Sequence, residues 1–390
     1  MVARLLESGN MQREDPMSTP QTSPMERVYA LTNAGDGNAV AVFVRQQGGN
    51  LIPLTADPSA PAGPDGTVRG LRPFPTGGLG AGGPLISQSA LTLSADGRFL
   101  FAVNPGSNDV TSFLVTPSGL HLASRVPSGG VLPVSVTTFG NLVYVVNAVT
   151  NLVPPVTPGL DGQGIGQIAG FAIGLNGVLT PIEGSGRALS SPDSAPAQIA
   201  FNADGTLLVV TELAANRITV FQVEEDGRPG GVVENPSAGQ APFGFAFNSR
   251  GVLVVAEASG SVSSYEVSAS GKLSVITGSA PTNQVAACWV ANTPDARLSY
   301  VSNTGSGSVS GFSVSSTGKL TPLDIDGRTG VTGDFTVPND MVISGDGRYL
   351  EALAPGAQTI MTFRIEDDGS LSLLSSAGNL PPMAVGLAIG

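Results

Sequence analysis

Seven copies of one strand, turn and strand pattern, 52 Gly and 30 Pro among 390 residues, and no sustained 3.6-residue apolar period together predict an all-β chain. The repeats make the class specific. They predict a seven-bladed β-propeller of four-stranded antiparallel blades, closed by the C-terminal strand joining blade one.

The first copy, "RVYALTNAGDGNAVAVFV" at 27–44, is followed by "LFAVNPGSNDVTSFLV" at 100–115, and "LLVVTELAANRITVFQV" at 207–223 keeps the same plan. "VVAEASGSVSSYEV", "SYVSNTGSGSVSGFSV" and "EALAPGAQTIMTFRI" continue it. Each ends on an aromatic and, directly or one residue later, an apolar residue, and the seven aromatic anchors are Phe43, Phe113, Phe171, Phe221, Tyr265, Phe312 and Phe363. A strand with a Gly turn precedes most copies, as in "LTLSADGRFL", and a Gly-x-Leu turn into a further strand follows, as in "ASGKLSVI". The unit is therefore four strands in about 40 to 50 residues. The first copy lacks a preceding strand, whereas the chain ends on a lone one, "PPMAVGLAIG". Residues 381–390 are therefore expected to pair with 27–33 and remove the open edge. The propeller is expected over 25–390, after a disordered leader at 1–24 that lacks the apolar centre of a secretory signal.

The formal charge of −12 and the pI near 4.5 argue against nucleic acid and against an anionic membrane surface as partners. No apolar run approaches the roughly 20 residues of a membrane span. With one cysteine, Cys288, no intramolecular disulfide can form, which fits a reducing compartment; the expectation is a cytoplasmic monomer with a small-molecule substrate.

Blade spacing is uneven. Residues 55–88, with Arg69 and Arg72, separate blades one and two; 148–166 interrupt the middle turn of blade three; 184–195 and 324–337 are longer linkers carrying Arg187 and Arg328. The loop entering a first strand and the turn between second and third strands lie at one mouth, so the insertions are expected to crowd one face. The run "GGLGAGG" at 77–83 lacks a phosphate loop's lysine and is read as a flexible lid.

At that mouth the second strands end in polar residues. Blade four ends "VVTEL" and blade five "VVAEA", giving Glu212 and Glu257; Asn33, Asn104, Asn147 and Asn303 hold equivalent places. Two carboxylates with separated pKa values could divide acid and base work. The same oxygens could instead hold a divalent cation, or simply cap turns. No other cofactor is indicated. His121 reads as surface, and Cys288 and Trp289 as packing on an innermost strand.

With "APAQIAFNADGTLLVVTELAANRITVFQV" at 195–223 as its best segment, the chain from 27 to 390 resembles the seven-bladed propeller lactonases, which include 6-phosphogluconolactonase and carboxy-muconate lactonizing enzyme. The resemblance implies an Asn-Glu-Leu run, matched here by Thr211, Glu212 and Leu213 in two of three positions. It also implies an Arg-His pair entering blade four, where Ala197 and Gln198 stand, a blade-two His where "ISQSALTL" stands, and a blade-six Arg where Thr304 stands. The function so implied is a lactone hydrolase or cyclising enzyme for a small, anionic or sugar-derived lactone at the channel mouth. Glu212 and Glu257 would be its acids, and Asn33, Asn104, Asn147, Gln198, Asn303, Arg69, Arg72 and Arg328 its substrate contacts. The alternatives are a propeller that has lost catalysis and binds a ligand or protein, and a metal-dependent lactonase using Asn and Glu oxygens.

Overall fold

The computed structural model describes residues 26–54, 71–148 and 166–390. The leader, Arg69 and the insert at 149–165 lie outside the described residues. Among those described, seven antiparallel sheets form a ring, each four strands deep, with short extra strands beside three of them.

Blade one runs outward as Val385–Ile389, Arg27–Leu31, Ala39–Arg45 and Leu51–Pro53. Its innermost strand is thus the C-terminal one. Val28 pairs with Ile389, Tyr29 with Ala388 and Ala30 with Leu387, as the orphan strands at the two ends predict. Blades two to six begin at Leu91–Leu93, Pro133–Phe139, Pro196–Phe201, Pro242–Phe247 and Ala287–Asn292, and blade seven at Met341–Ile343. These first strands touch one another in sequence around the axis, and that of blade seven touches Val385–Ile389 to complete the circle.

The anchors explain why the blades stack. All seven aromatic anchors sit on third strands and are at most 1% exposed. Each lies opposite a second-strand residue: Phe43 faces Val28, Phe113 faces Leu100, Phe221 faces Leu208 and Phe363 faces Leu350. Burying such a ring contributes about 2 to 3 kcal/mol. His121 is on the outer strand Gly119–Pro127 and exposed, while Cys288 and Trp289 are buried on an innermost strand, as expected.

A second tie crosses the closing seam. From the third strand of blade one, Arg45 Nη1 lies 2.7 Å from Glu351 Oε1 of blade seven and its Nε 2.6 Å from Glu26, with the guanidinium 4.7 Å above the Tyr349 ring. Removing residues 385–390 should therefore cost far more than losing a terminal segment usually does. Thermal unfolding followed by circular dichroism should show loss of the cooperative transition; a sharp transition within a few degrees of the intact chain would contradict closure.

Candidate functional site

The polar strand-end residues hydrogen-bond the second strands to adjoining strands and linkers. Glu212 is fully buried: Ser190 donates to its Oε2 from both backbone N (3.1 Å) and Oγ (2.6 Å), and Thr219 Oγ1 donates to Oε1. Glu257, equally buried, accepts from Gly239 N at 3.0 Å, from Ser261 Oγ at 2.5 Å and from Ser263 Oγ. Asn104 accepts from Thr76 and Asn38 and donates to Asp109 and Thr111; Asn147 pairs with Ser128; Asn303 donates to Ser308 and Ser310. One plan recurs. A strand-end amide or carboxylate ties the third strand, the preceding linker, or both, to the second strand, which satisfies polar groups that burial would otherwise strand. The two acids share no hydrogen-bond partner. Burial pushes the Glu257 carboxyl up, against the opposing pull of Ser261 and Ser263.

The glycine run at 77–83 is bonded along its length rather than loose. Gly80 N donates to Ala34 O, Ala81 N to Asn33 Oδ1, Gly82 N to Asn33 O, and Gly106 N returns to Leu79 O. A Cβ on Gly80 would lie 2.1 Å from the Asn33 carbonyl carbon, and one on Gly78 would lie 2.5 Å from Asn104 Cγ. Glycine is needed here for close backbone approach, and that contact differs from the flexible lid expected.

Below this run the blade-two entry crosses the axis. Ser87 Oγ donates to Val134 O of blade three, and its carbonyl accepts from Trp289 Nε1 of blade six. Gln88 grips the Val290 backbone with both amide atoms, at 3.0 and 3.1 Å, while its own N donates to Ala197 O of blade four. Ser89 N donates to Asp340 Oδ1 of blade seven, and Asp340 Oδ2 accepts from Gly386 N of the closing strand at 2.8 Å. This Ser87–Gln88–Ser89 plug was not legible as such; "ISQSALTL" stood out only for lacking an expected histidine.

Beside the plug opens a pocket of about 500 Å³. Its walls include Leu85 and Ile86 of the blade-two entry, Phe243 of blade five, Trp289 of blade six, Asn339 of blade seven and Val385 of the closing strand. Phe243 and Trp289 meet edge to face, 4.9 Å between centroids. Burial pushes the Cys288 thiol in the same wall up to about 12, so it is a protonated packing group. Asp340, beneath the wall, is raised to about 7 by desolvation, against hydrogen bonds from Gly386 and Ser89.

The sequence candidates thus divide. Gln198 belongs to the axis: its Oε1 accepts from Phe245 N at 2.6 Å and its Nε2 reaches Ser89 Oγ at 3.4 Å. Glu212, Glu257, Asn33, Asn104, Asn147 and Asn303 hold blade and loop together, and none is in the pocket wall. Arg72 is exposed and Arg328 reaches Ser306 O at 3.5 Å, both outside the wall; Arg187 bonds the carbonyls of Gly184, Gly186 and Pro229. Arg69 lies outside the described residues. Among those described, no three His, Cys, Asp or Glu side chains gather in a metal-binding group, and no helix is long and apolar enough to cross a membrane.

Glu212→Ala leaves the Ser190 and Thr219 donors unpaired and should lower unfolding free energy by about 3 kcal/mol, read by denaturant titration; a change below about 0.5 kcal/mol would deny the lock. For Asp340 the folded carboxyl holds a proton that the unfolded chain has lost between about 4 and about 7. Its contribution therefore makes stability fall as pH rises through that window and level off above it. Asp340→Asn should flatten that part of the stability profile, and an unchanged slope would contradict it.

Residues 180–290 match the family described as "Lactonase, 7-bladed beta-propeller". Among curated proteins none matches. Among solved structures, a protein of Bacteroides fragilis provisionally named a 6-phosphogluconolactonase is similar at 21% identity and TM-score 0.68, covering 95% of this chain and all of that one. The periplasmic gluconolactonase PpgL of Pseudomonas aeruginosa is similar at 20% identity and TM-score 0.69, covering 94% and 99%. A Lactobacillus plantarum protein gives TM-score 0.70 at 17% identity over 94% and 99%. At such identities the structural likeness speaks for fold. Together, the fold of the whole ring and the sequence match from blade three's outer edge into blade six identify the chain's resemblance as one to the seven-bladed β-propeller lactonases.

Proposed function

We propose that this propeller takes a small lactone into the mouth pocket and opens it as a lactonase-type hydrolase. The observation that carries the reading is the pocket itself. It has ligand-sized volume, it sits where the entries of blades two, five, six and seven meet the closing strand, and it occurs in a chain whose residues 180–290 match a lactonase family. Glu212 and Glu257, which lie outside the pocket wall, are the carboxylates proposed for the proton steps, acting on the lactone through water. To serve, each must exchange one hydroxyl partner for water or ligand.

The full sets of partners on both acids favour a second reading, a binding module without turnover. A panel of lactones assayed by acid release, with and without chelator, separates the two. The hydrolase reading expects at least one lactone to open well above its spontaneous rate, unaffected by chelator, with the rate lost in Glu212→Gln. Binding without ring opening, or turnover that survives both Glu212→Gln and Glu257→Gln, would reject it.

A further inference from the structure

We infer that the pocket selects an uncharged lactone with an apolar ring or side chain, rather than a phosphorylated or carboxylated sugar lactone; this rests on the mouth pocket being the ligand site. Three observations carry it. First, no Lys, Arg or His is among the described wall residues, and Arg187, Arg125 and Arg328, all outside the wall, bond backbone carbonyls: Arg187 those of Gly184, Gly186 and Pro229, Arg125 that of Gly77, and Arg328 that of Ser306. An anionic ligand would enter without a counter-charge, into a chain whose formal charge is −12.

Second, the polar wall atoms are already engaged or of the wrong sense for phosphate. Thr304 Oγ1 donates to Pro338 O at 2.9 Å, and Cys288 bonds Thr304. Asn339 donates to Ala384 O at 3.2 Å, and its Oδ1 has no partner among the described residues. A buried acceptor without a donor beside the wall opposes an ionised ligand oxygen. Third, the rest of the wall is hydrocarbon and aromatic. Trp289 and Phe243 form its buried part, while Ile86, Val337 and Met383, also in the wall, are 45, 42 and 37% exposed. Apolar surface left open in this way gains from covering by an apolar ligand.

The wall contains the chain's one tryptophan, so emission reads occupancy directly. The test titrates the full chain with dihydrocoumarin, a neutral aromatic lactone, and with 6-phosphogluconate, a stable anionic sugar acid. Dihydrocoumarin should shift Trp289 emission at a concentration at least about tenfold lower. Met383→Arg places a cation at the exposed opening and should narrow that gap without moving the thermal midpoint. If 6-phosphogluconate binds as tightly as dihydrocoumarin, or if neither changes the emission, the inference is overturned. Dihydrocoumarin bound selectively but not opened keeps the inference and rejects the hydrolase reading. Ring opening of sugar lactones alone does the reverse.

Discussion

Pairing between the last strand, Val385–Ile389, and the first described one, Arg27–Leu31, is the constraint on which the molecule depends. An open propeller would expose two sheet edges, each a row of unpaired amides and carbonyls. Closure also fixes the chain where the last strand begins. Asn339 and Asp340 of blade seven bond Ala384 O and Gly386 N, so the segment that closes the ring is also part of the pocket wall. Fold and candidate site therefore share one set of hydrogen bonds. Farther out, Arg45 and Glu351 brace the same seam, and burial raises the Glu351 carboxyl to about 7 although Arg45 opposes the shift.

A ring alone leaves a hole, and this chain fills it with polar side chains. The plug at 87–89 bonds blades three, four, six and seven, and Gln88 Oε1 would lie 2.1 Å from a Cβ on Gly244 of blade five. Ser87 and Gln88 are buried and Ser89 half-buried, so the buried groups need their partners. The strand-end locks follow the same logic nearer the blade linkers. A chain with 12% charged residues buries Glu212, Glu257 and Asp340 because hydroxyls and backbone amides surround them. Packing of this kind leaves an apolar pocket beside a polar axis, the reverse of a water-filled polar channel.

The ring was legible because its signals are local. An aromatic at a fixed place in the third strand, and glycine turns between strands, recur within 40 to 50 residues, and each repeat reports the same burial. Orphan strands at 27–31 and 385–389 made closure a matter of counting. The site was less legible because its contacts are distant in sequence: Gln88 and Val290 are 202 positions apart, and no spacing rule links them. Glu212 and Glu257 were correctly placed at strand ends. Their side-chain directions, which a strand-end position leaves open, depended on Ser190, Thr219, Ser261 and Ser263. Asp340 gave no signal at all, since "PND" reads as a turn.

The central claim is that closure, axis and pocket form one cooperative unit. Native-state hydrogen exchange at Ser89 and Gly386 tests it most directly, since both amides donate to the buried Asp340 and between them belong to the plug and to the closing strand. Both should exchange only through global unfolding, with a protection free energy equal to that from denaturant titration and an equal denaturant dependence. Exchange at either amide through a local opening, at markedly lower free energy and with little denaturant dependence, would contradict the account.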